Sequence, residues 1–438
     1  APDAMLIAET GGLNAMIVDS TALPEQAVRD ILASAFQSAG QRCSALRILY
    51  IQKDVEARVT AMLKGAMQAL AVGDPWQVPT DIGPVIDDEA LSGISGYCEE
   101  MERKGRLLAR IERPEGARFV APAAFQVSGI EEMEREVFGP VLHVATFEAE
   151  DLGHVISAVN AKGYGLTFGL HTRIDARVQE VVDGIHAGNI YVNRNQIGAV
   201  VGSQPFGGEG LSGTGPKAGG PYYLRRFRRG KAGADIAPAD APAIAAEELM
   251  RAMPDAQKSG WANRTDRIVA LRRALRGRWP DVLAAAAALD LGPVDLPGPT
   301  GEANSLQLAP RGRVLCLGAD ADALAAQVIQ ALAAGNAVLA VAKDAPAILQ
   351  PLIRAGFPLA AFHGNVAPQT LETLPVDLVA ATGERQWLRA LRTALSARQG
   401  RIVPLVTELV YPAAYAHERS VCVDTTAAGG NASLLAAA

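Results

Sequence analysis

The sequence predicts an α/β protein built on a mainly parallel sheet. Apolar runs rich in Val, Ile and Leu alternate with amphipathic stretches of helical period, and glycine- or proline-bearing turns punctuate that alternation. Composition agrees: with 438 residues, 49% of them hydrophobic, the chain can bury sizeable cores and suits about two or three domains.

Residues 24–40 read as a helix. Pro24 suits its first turn, and Ala27, Val28, Ile31, Leu32, Ala35, Phe36 and Ala39 recur at i, i+3, i+4, i+7. Gly40 can end it in a left-handed turn. A strand is expected at 46–52 and a helix at 54–71, broken by Gly73-Asp74-Pro75. A helix over 87–104, strands at 118–121 and 140–147, and helices at 151–161 and 177–186 follow. Residues 231–260, rich in Ala, Pro and Asp, read as a linker into a helical segment, 261–289. A second α/β unit starts near Arg313, with a strand at 314–318, a helix at 320–334, a turn at Gly335-Asn336 and a strand at 337–342.

Several function classes are excluded. A net charge of −6 carries no basic footprint for nucleic acid. No apolar run approaches a membrane span, the Ala-rich segment 283–289 being too short, and no signal-peptide pattern is visible. Four cysteines without a CxxC pair rule out a disulfide scaffold or zinc ribbon and fit a reducing compartment, the cytoplasm. The six histidines show no metal-ligand spacing, so no metal site is expected.

One thiol stands apart. In Gly40-Gln41-Arg42-Cys43 it lies on a short connector between a helix and a strand, where chemistry is usually placed. A lone Cys is more often a small buried hydrophobe, and Cys98, Cys316 and Cys422, set in helix or strand patterns, read as core or surface thiols. Upstream, however, lies a carboxylate, Glu9, followed by Thr10-Gly11-Gly12. A thiol and a carboxylate in glycine-rich turns suggest covalent catalysis with a general base.

Six segments then follow one another in order: Glu9-Thr10-Gly11-Gly12 with Asn14; Gly40-Gln41-Arg42-Cys43; Glu136-Val137-Phe138-Gly139-Pro140; Gly165-Leu166-Thr167; Gly188-Asn189-Ile190-Tyr191-Val192-Asn193; and Pro205-Phe206-Gly207-Gly208. Any one is weak; together they resemble the aldehyde dehydrogenase superfamily over about residues 1–229. Within it, the stretches 34–47, 81–90 and 194–224 are similar to the glutamate-semialdehyde dehydrogenase part of the bifunctional proline-utilization family.

The resemblance implies NAD-dependent oxidation of L-glutamate γ-semialdehyde, which equilibrates with pyrroline-5-carboxylate, to L-glutamate. Cys43 would be the nucleophile, forming a thiohemiacetal, losing hydride to a nicotinamide and leaving a thioester. Its backbone N–H would help to hold the oxyanion. Glu9 would be the base that activates the hydrolytic water, its pKa raised by burial. Thr10, Gly11, Glu136 and Phe138 would serve the cofactor, Gly11 by letting backbone approach the nicotinamide and Glu136 by bonding the ribose hydroxyls. Gly198 and Ala199 would hold the substrate carboxylate, Phe206 would wall its aliphatic part and Ser44 would contact it. Arg42 is either a charge near that carboxylate or a structural ion pair.

The resemblance also sets an expected organisation. Residues 1–229 would hold the catalytic domain with the end of the cofactor domain and an oligomerisation strand, 230–260 the linker, and 261–438 a degenerate Rossmann-like domain with a tail. In the last, 331–346 and 377–391 resemble cofactor-domain segments and 404–408 echoes 5–9. Lys343 is displaced, however, and Leu409-Val410 stand where a glycine pair would. Most of the NAD site, and a flavin (FAD) in a proline dehydrogenase domain, would lie upstream. A homo-oligomer is implied, with peripheral inner-membrane attachment only through the full-length protein. Two alternatives stay open: a different semialdehyde as substrate, and residues 231–438 as a non-catalytic lid and assembly module.

Overall fold

β1 (Ala15–Val18) and β2 (Ile48–Gln52) run parallel inside a ten-stranded sheet, and all their residues are buried. Such near-continuous apolar runs are what strands covered on both faces require. This is a computed structural model, and it describes residues 6–228, 236–237 and 241–426. The helix Pro24–Phe36 crosses between the two strands and turns Ala27, Val28, Ile31, Ala35 and Phe36 into the core. It stops short of the expected end, because Ser38, Ala39 and Gly40 all take left-handed conformations, with φ of 56°, 54° and 64°. That turn presses Gly40 against another loop: a Cβ there would fall 2.1 Å from the Gly139 carbonyl oxygen. Only glycine allows the two backbones to meet.

β3 (Leu107–Arg110), β4 (Ala123–Gln126) and β5 (Val141–Phe147) complete one side of the sheet. β5 is parallel to β2 and β4, and β3 is antiparallel to β4 at the edge. The strand expected at 118–121 is irregular instead; pairing starts beyond Pro122, which has no N–H to give to a ladder. On the other side, β6 (Tyr164–Gly165) precedes β7 (Thr167–His171), which pairs with β1, and β8 (Asn189–Val192) follows β7, both in parallel. β9 (Glu209–Gly210) pairs with β6. The helices Lys53–Gln68, Asp88–Arg103, Leu152–Ala161 and Asp175–Gly184 lie within one to three residues of expectation.

The helical segment expected at 261–289 is two helices, Arg267–Leu275 and Pro280–Ala287, parted where Arg276, Gly277 and Trp279 take positive φ. Within the expected linker, Ala246–Arg251 is helical. β10 (Val294–Leu296) and β11 (Glu302–Pro310), neither foreseen, form an antiparallel pair. Next come β12 (Arg313–Leu317), β13 (Ala337–Ala342), β14 (Leu359–His363), β15 (Leu378–Ala381) and β16 (Leu405–Val406). They make a five-stranded parallel sheet ordered β14-β13-β12-β15-β16, the doubly-wound order.

β17 (Ala416–Asp424) returns to the large sheet, parallel to β8 and antiparallel to β11. The ten strands therefore include three from well beyond residue 260. Residues 427–438 of the expected tail, and 229–235 and 238–240 of the linker region, lie outside the described residues. No described helix is long and apolar enough to cross a membrane.

Candidate active site

Glu9, Thr10, Gly11, Arg42, Cys43, Ser44, Glu136 and Phe138 lie on the loops that enter β1, β2 and β5, where these parallel strands begin, and Gly198, Ala199 and Phe206 lie on the segment after β8. Open α/β sheets usually bind ligands at the opposite, carboxyl edge, so periodicity alone would have pointed to the wrong side.

Cys43 is exposed on the turn before β2. The turn is pinned from several directions. Asn14 Nδ2 donates to the carbonyls of Cys43 at 2.7 Å and Ala45 at 2.9 Å, while its Oδ1 accepts the Thr167 N–H at 3.1 Å. Thr167 Oγ1 and Gln196 Nε2 each donate to the Ser44 carbonyl at 3.2 Å. The loop ahead of β1, the first residue of β7 and the loop after β8 thus fix the backbone on both sides of the sulfur, the rigidity a nucleophile needs. Burial of the thiol pushes its pKa up, and the carboxylates of Glu9 and Glu136 push the same way. The N–H groups of Ser44 and of Cys43 itself oppose the rise by favouring the thiolate.

Glu9 is open to solvent as a residue, yet its carboxyl group is desolvated enough to raise its pKa to about 7. A hydrogen bond from the Gly208 N–H, 3.0 Å to Oε2, and the charge of Lys217 act against that rise. The carboxylate lies in a glycine cradle: a Cβ on Gly207 or on Gly213 would come within 2.8 Å of Oε1. Thr10 spends its hydroxyl on the Leu211 carbonyl at 2.5 Å, tying this loop to the same segment.

Glu136 reaches back to the Glu9 loop. Its Oε2 accepts the Gly12 N–H at 3.1 Å, and a Cβ on Gly11, where φ is 129°, would fall 2.6 Å from that oxygen. Oε1 is held by Arg47, from Nε at 3.0 Å and Nη2 at 2.9 Å. Arg47 is fully buried and also donates to the carbonyls of Gly40, Arg42 and Gly139. One guanidinium thus ties the nucleophile turn to the Glu136 loop. It lies 5.1 Å from the centroid of the Phe138 ring, and Phe138 is 42% exposed.

Ser44 is buried beside the thiol, and Arg42 Nε donates to Ser38 Oγ at 2.9 Å within its own turn. Gly198, with φ of 73°, and Ala199 lie two and three residues beyond Gln196, the residue that bonds Ser44; beyond Gly198 there is open space. Phe206, half-buried, exchanges backbone bonds with Ala218 next to the Glu9 cradle. Cys43, Ser44, Glu9, Thr10, Gly11, Glu136 and Phe138 therefore lie on interlocked loops, with Phe206 beside the Glu9 cradle and Gly198 and Ala199 next in sequence to Gln196. Two were missed, Arg47 and Lys217. Each had a faint signal, a cation at the mouth of the apolar run 45–51 and another inside a glycine-rich stretch.

Cys98 and Cys316 are buried, as is Cys422, but Cys422 is in polar company: Arg194 Nη1 is 3.0 Å from its sulfur. Among the described residues no group of three or more His, Cys, Asp or Glu could hold a metal ion.

The profile of the aldehyde dehydrogenase family matches residues 4–232. Over 455 residues the chain is 44% identical to the bifunctional protein PutA of Escherichia coli K12, covering 98% of this chain and 33% of that one. Over 222 residues it is 40% identical to a 1-pyrroline-5-carboxylate dehydrogenase of Geobacillus kaustophilus, covering 50% of this chain and 43% of the other. A crystal structure of Bradyrhizobium japonicum proline utilization A matches with a TM-score of 0.50 and 55% identity, over 51% of this chain and 23% of that one. The chain spans about a third of the length of its bifunctional relatives. With its thiol, carboxylate and glycine loops in place and half its length matched, this chain belongs to the aldehyde dehydrogenase family.

Proposed function

We propose that the chain carries the catalytic centre for oxidation of L-glutamate γ-semialdehyde to L-glutamate with NAD, a step of proline catabolism. The observation that carries this reading is the pinned thiol of Cys43 with a carboxylate, Glu9, poised near neutrality in the same cluster. The substrate assignment is supported by the names of the relatives, a bifunctional PutA and a 1-pyrroline-5-carboxylate dehydrogenase.

The residues present fit a nicotinamide nucleotide. Glu136 Oε2 faces a strip of backbone that carries no Cβ, and Phe138 offers an open ring face beside it. Glu136 would hold the ribose hydroxyls and Phe138 would pack against the sugar. When bound, NAD supplies the hydride acceptor.

The chain's own residues do the remaining work. The thiol of Cys43 passes its proton to solvent water and its sulfur bonds to the aldehyde carbon as the C=O π pair moves onto oxygen, where the backbone N–H of Cys43 would hold the oxyanion. After hydride loss a thioester remains on Cys43. Glu9, its pKa raised by burial to about 7, takes a proton from water; the hydroxide adds to the thioester and the C–S bond breaks. The departing Cys43 sulfur takes the proton from Glu9, which restores thiol and base, and the acid product leaves. Gly198 and Ala199 would receive the substrate carboxylate on backbone N–H groups, Phe206 would line the chain and Ser44 would contact it. The Arg42 side chain bonds its own turn, which favours the structural role.

Residues beyond 261 are read as a non-catalytic copy. The helix Ala321–Ala333 begins where a pyrophosphate would sit in a working dinucleotide fold, but Asp320 caps it, accepting the Ala323 N–H at 2.8 Å. Only about 20 Å³ of space remains between Gly318, Lys343, Thr382 and Trp387. Glu408, the echo of Glu9, lies 3.7 Å from Arg226 instead of facing a thiol. The greater part of the NAD site, a flavin-bearing proline dehydrogenase and a homo-oligomeric assembly are assigned to the flanking sequence and the full protein.

A substrate panel tests the proposal. With native flanking sequence present, kcat/KM for L-glutamate γ-semialdehyde should exceed that for an uncharged alkyl aldehyde of equal length by about a hundredfold or more. Equal or better use of the uncharged aldehyde would contradict the assignment.

A further inference from the structure

One peptide group stands between two ionisable side chains at the back of the site. The Gly207 carbonyl accepts a hydrogen bond from Lys217 Nζ, and the N–H of that same peptide unit, on Gly208, donates to Glu9 Oε2 at 3.0 Å. Lys217 is 2% exposed, and its ammonium also donates to Asn189 Oδ1 at 2.7 Å. The stack closes only because its corners are glycines: a Cβ on Gly188 would come within 2.8 Å of Lys217 Nζ, and one on Gly207 within 2.8 Å of Glu9 Oε1. The backbone N–H of Lys217 in turn donates to Glu418 Oε2 on β17, at 2.7 Å.

A buried ammonium persists where its charge is answered. The charged groups facing Lys217 are Glu418, Glu9, Glu209 and Arg419. Glu209 and Arg419 pair with each other at 3.1 Å. His417 lies beside Glu209 at 3.8 Å, and burial lowers its pKa to about 3, so it is neutral. Glu9 and Glu418 are left to answer Lys217. Hydrogen bonds in series polarise one another, so an ammonium on the carbonyl makes the opposite N–H a stronger donor to the carboxylate.

We propose that Lys217 is a positioning residue for Glu9, holding the carboxylate in the Cys43 cluster through the Gly207–Gly208 peptide, and that Glu418 of the C-terminal strand anchors it there. The inference rests on the reading of Glu9 as the base. It gives the C-terminal strand a catalytic consequence although that strand supplies no reacting group. Burial pushes Glu9 up and Lys217 restrains that push, so loss of the ammonium moves the ionisation of Glu9 to higher pH.

The test follows hydrolysis of the acyl-enzyme against pH in single turnovers, with native flanking sequence present. In Lys217→Gln, formation of the acyl-enzyme should persist, hydrolysis at pH 7 should slow about tenfold, and the rising limb of the profile should move to higher pH. In Lys217→Arg, which keeps the charge, the limb should stay at the wild-type pH. A limb that does not move in Lys217→Gln overturns the proposal. So does a limb displaced in Lys217→Arg, which decides the matter alone if the Gln variant does not fold. Glu9→Gln separates the two claims: wild-type hydrolysis there removes the base itself, whereas its loss alongside an unmoved limb in Lys217→Gln removes only the role of Lys217.

Discussion

Replacing Cys43 with alanine, with native flanking sequence present, is expected to lower aldehyde-dependent NADH formation by at least about 10⁴-fold. The other three cysteines are buried and cannot substitute for it. Cys43 is exposed, and the contacts that pin its turn run through its backbone carbonyl, which alanine keeps. The variant should therefore melt within a few degrees of the parent, so the lost activity cannot be put down to unfolding. Absorbance at the NADH band together with a thermal melt reads both outcomes. Residual activity above about a hundredth of the parent would remove covalent catalysis at this position.

The second large effect is on stability. Arg47→Met should cost about 3–5 kcal/mol in the unfolding free energy, read from the urea midpoint at constant slope. The guanidinium is wholly buried and answers Glu136, whose side chain is 15% exposed, as well as three backbone carbonyls. Burial works against its charge and Glu136 sustains it. Methionine fills much of the space but leaves a carboxylate without its counter-charge and takes from the Gly40 carbonyl the donor that Arg47 gives it, while the Arg42 and Gly139 carbonyls keep the N–H groups of Ala45 and Val141. Arg47→Lys should not rescue, because a single ammonium cannot span the fork from Glu136 to Gly40 and Gly139. In the double variant with Glu136→Gln the loss should fall well short of the sum of the two singles. Full additivity would mean that the pair does not couple.

Much of this architecture is legible in the sequence, for a local reason. β2, β5 and the helix Pro24–Phe36 follow apolar periodicity, and Glu9 and Cys43 stand in glycine-rich turns that mark themselves, whereas the four-residue β1 was not expected. What escaped notice depends on distant partners. β3 is a half-exposed edge strand with a weak pattern. β11 alternates Asn304, Leu306 and Leu308 inward, yet its meaning comes from β17, more than a hundred residues away. Gly277 and Pro280 signalled the break in 261–289, but the alanine-rich run that follows them masked it. The hardest cases are Arg47 and Lys217. Charged residues are almost never fully buried, so a sequence reading leaves them on the surface. Only the fold shows that one clasps Glu136 and the other stands behind the peptide that holds Glu9.

The division of labour between Cys43 and Glu9 can be observed directly by trapping the acyl group. In Glu9→Gln, with native flanking sequence present, mixed with L-glutamate γ-semialdehyde and NAD and quenched in acid, the peptide that contains Cys43 should carry a glutamyl thioester, released by hydroxylamine and detected by mass spectrometry. NADH should form in an amount close to one equivalent of sites and then stop, because the thioester waits for a base that is no longer there. An unmodified Cys43 with sustained NADH formation, or a glutamyl group on another residue, would contradict the account.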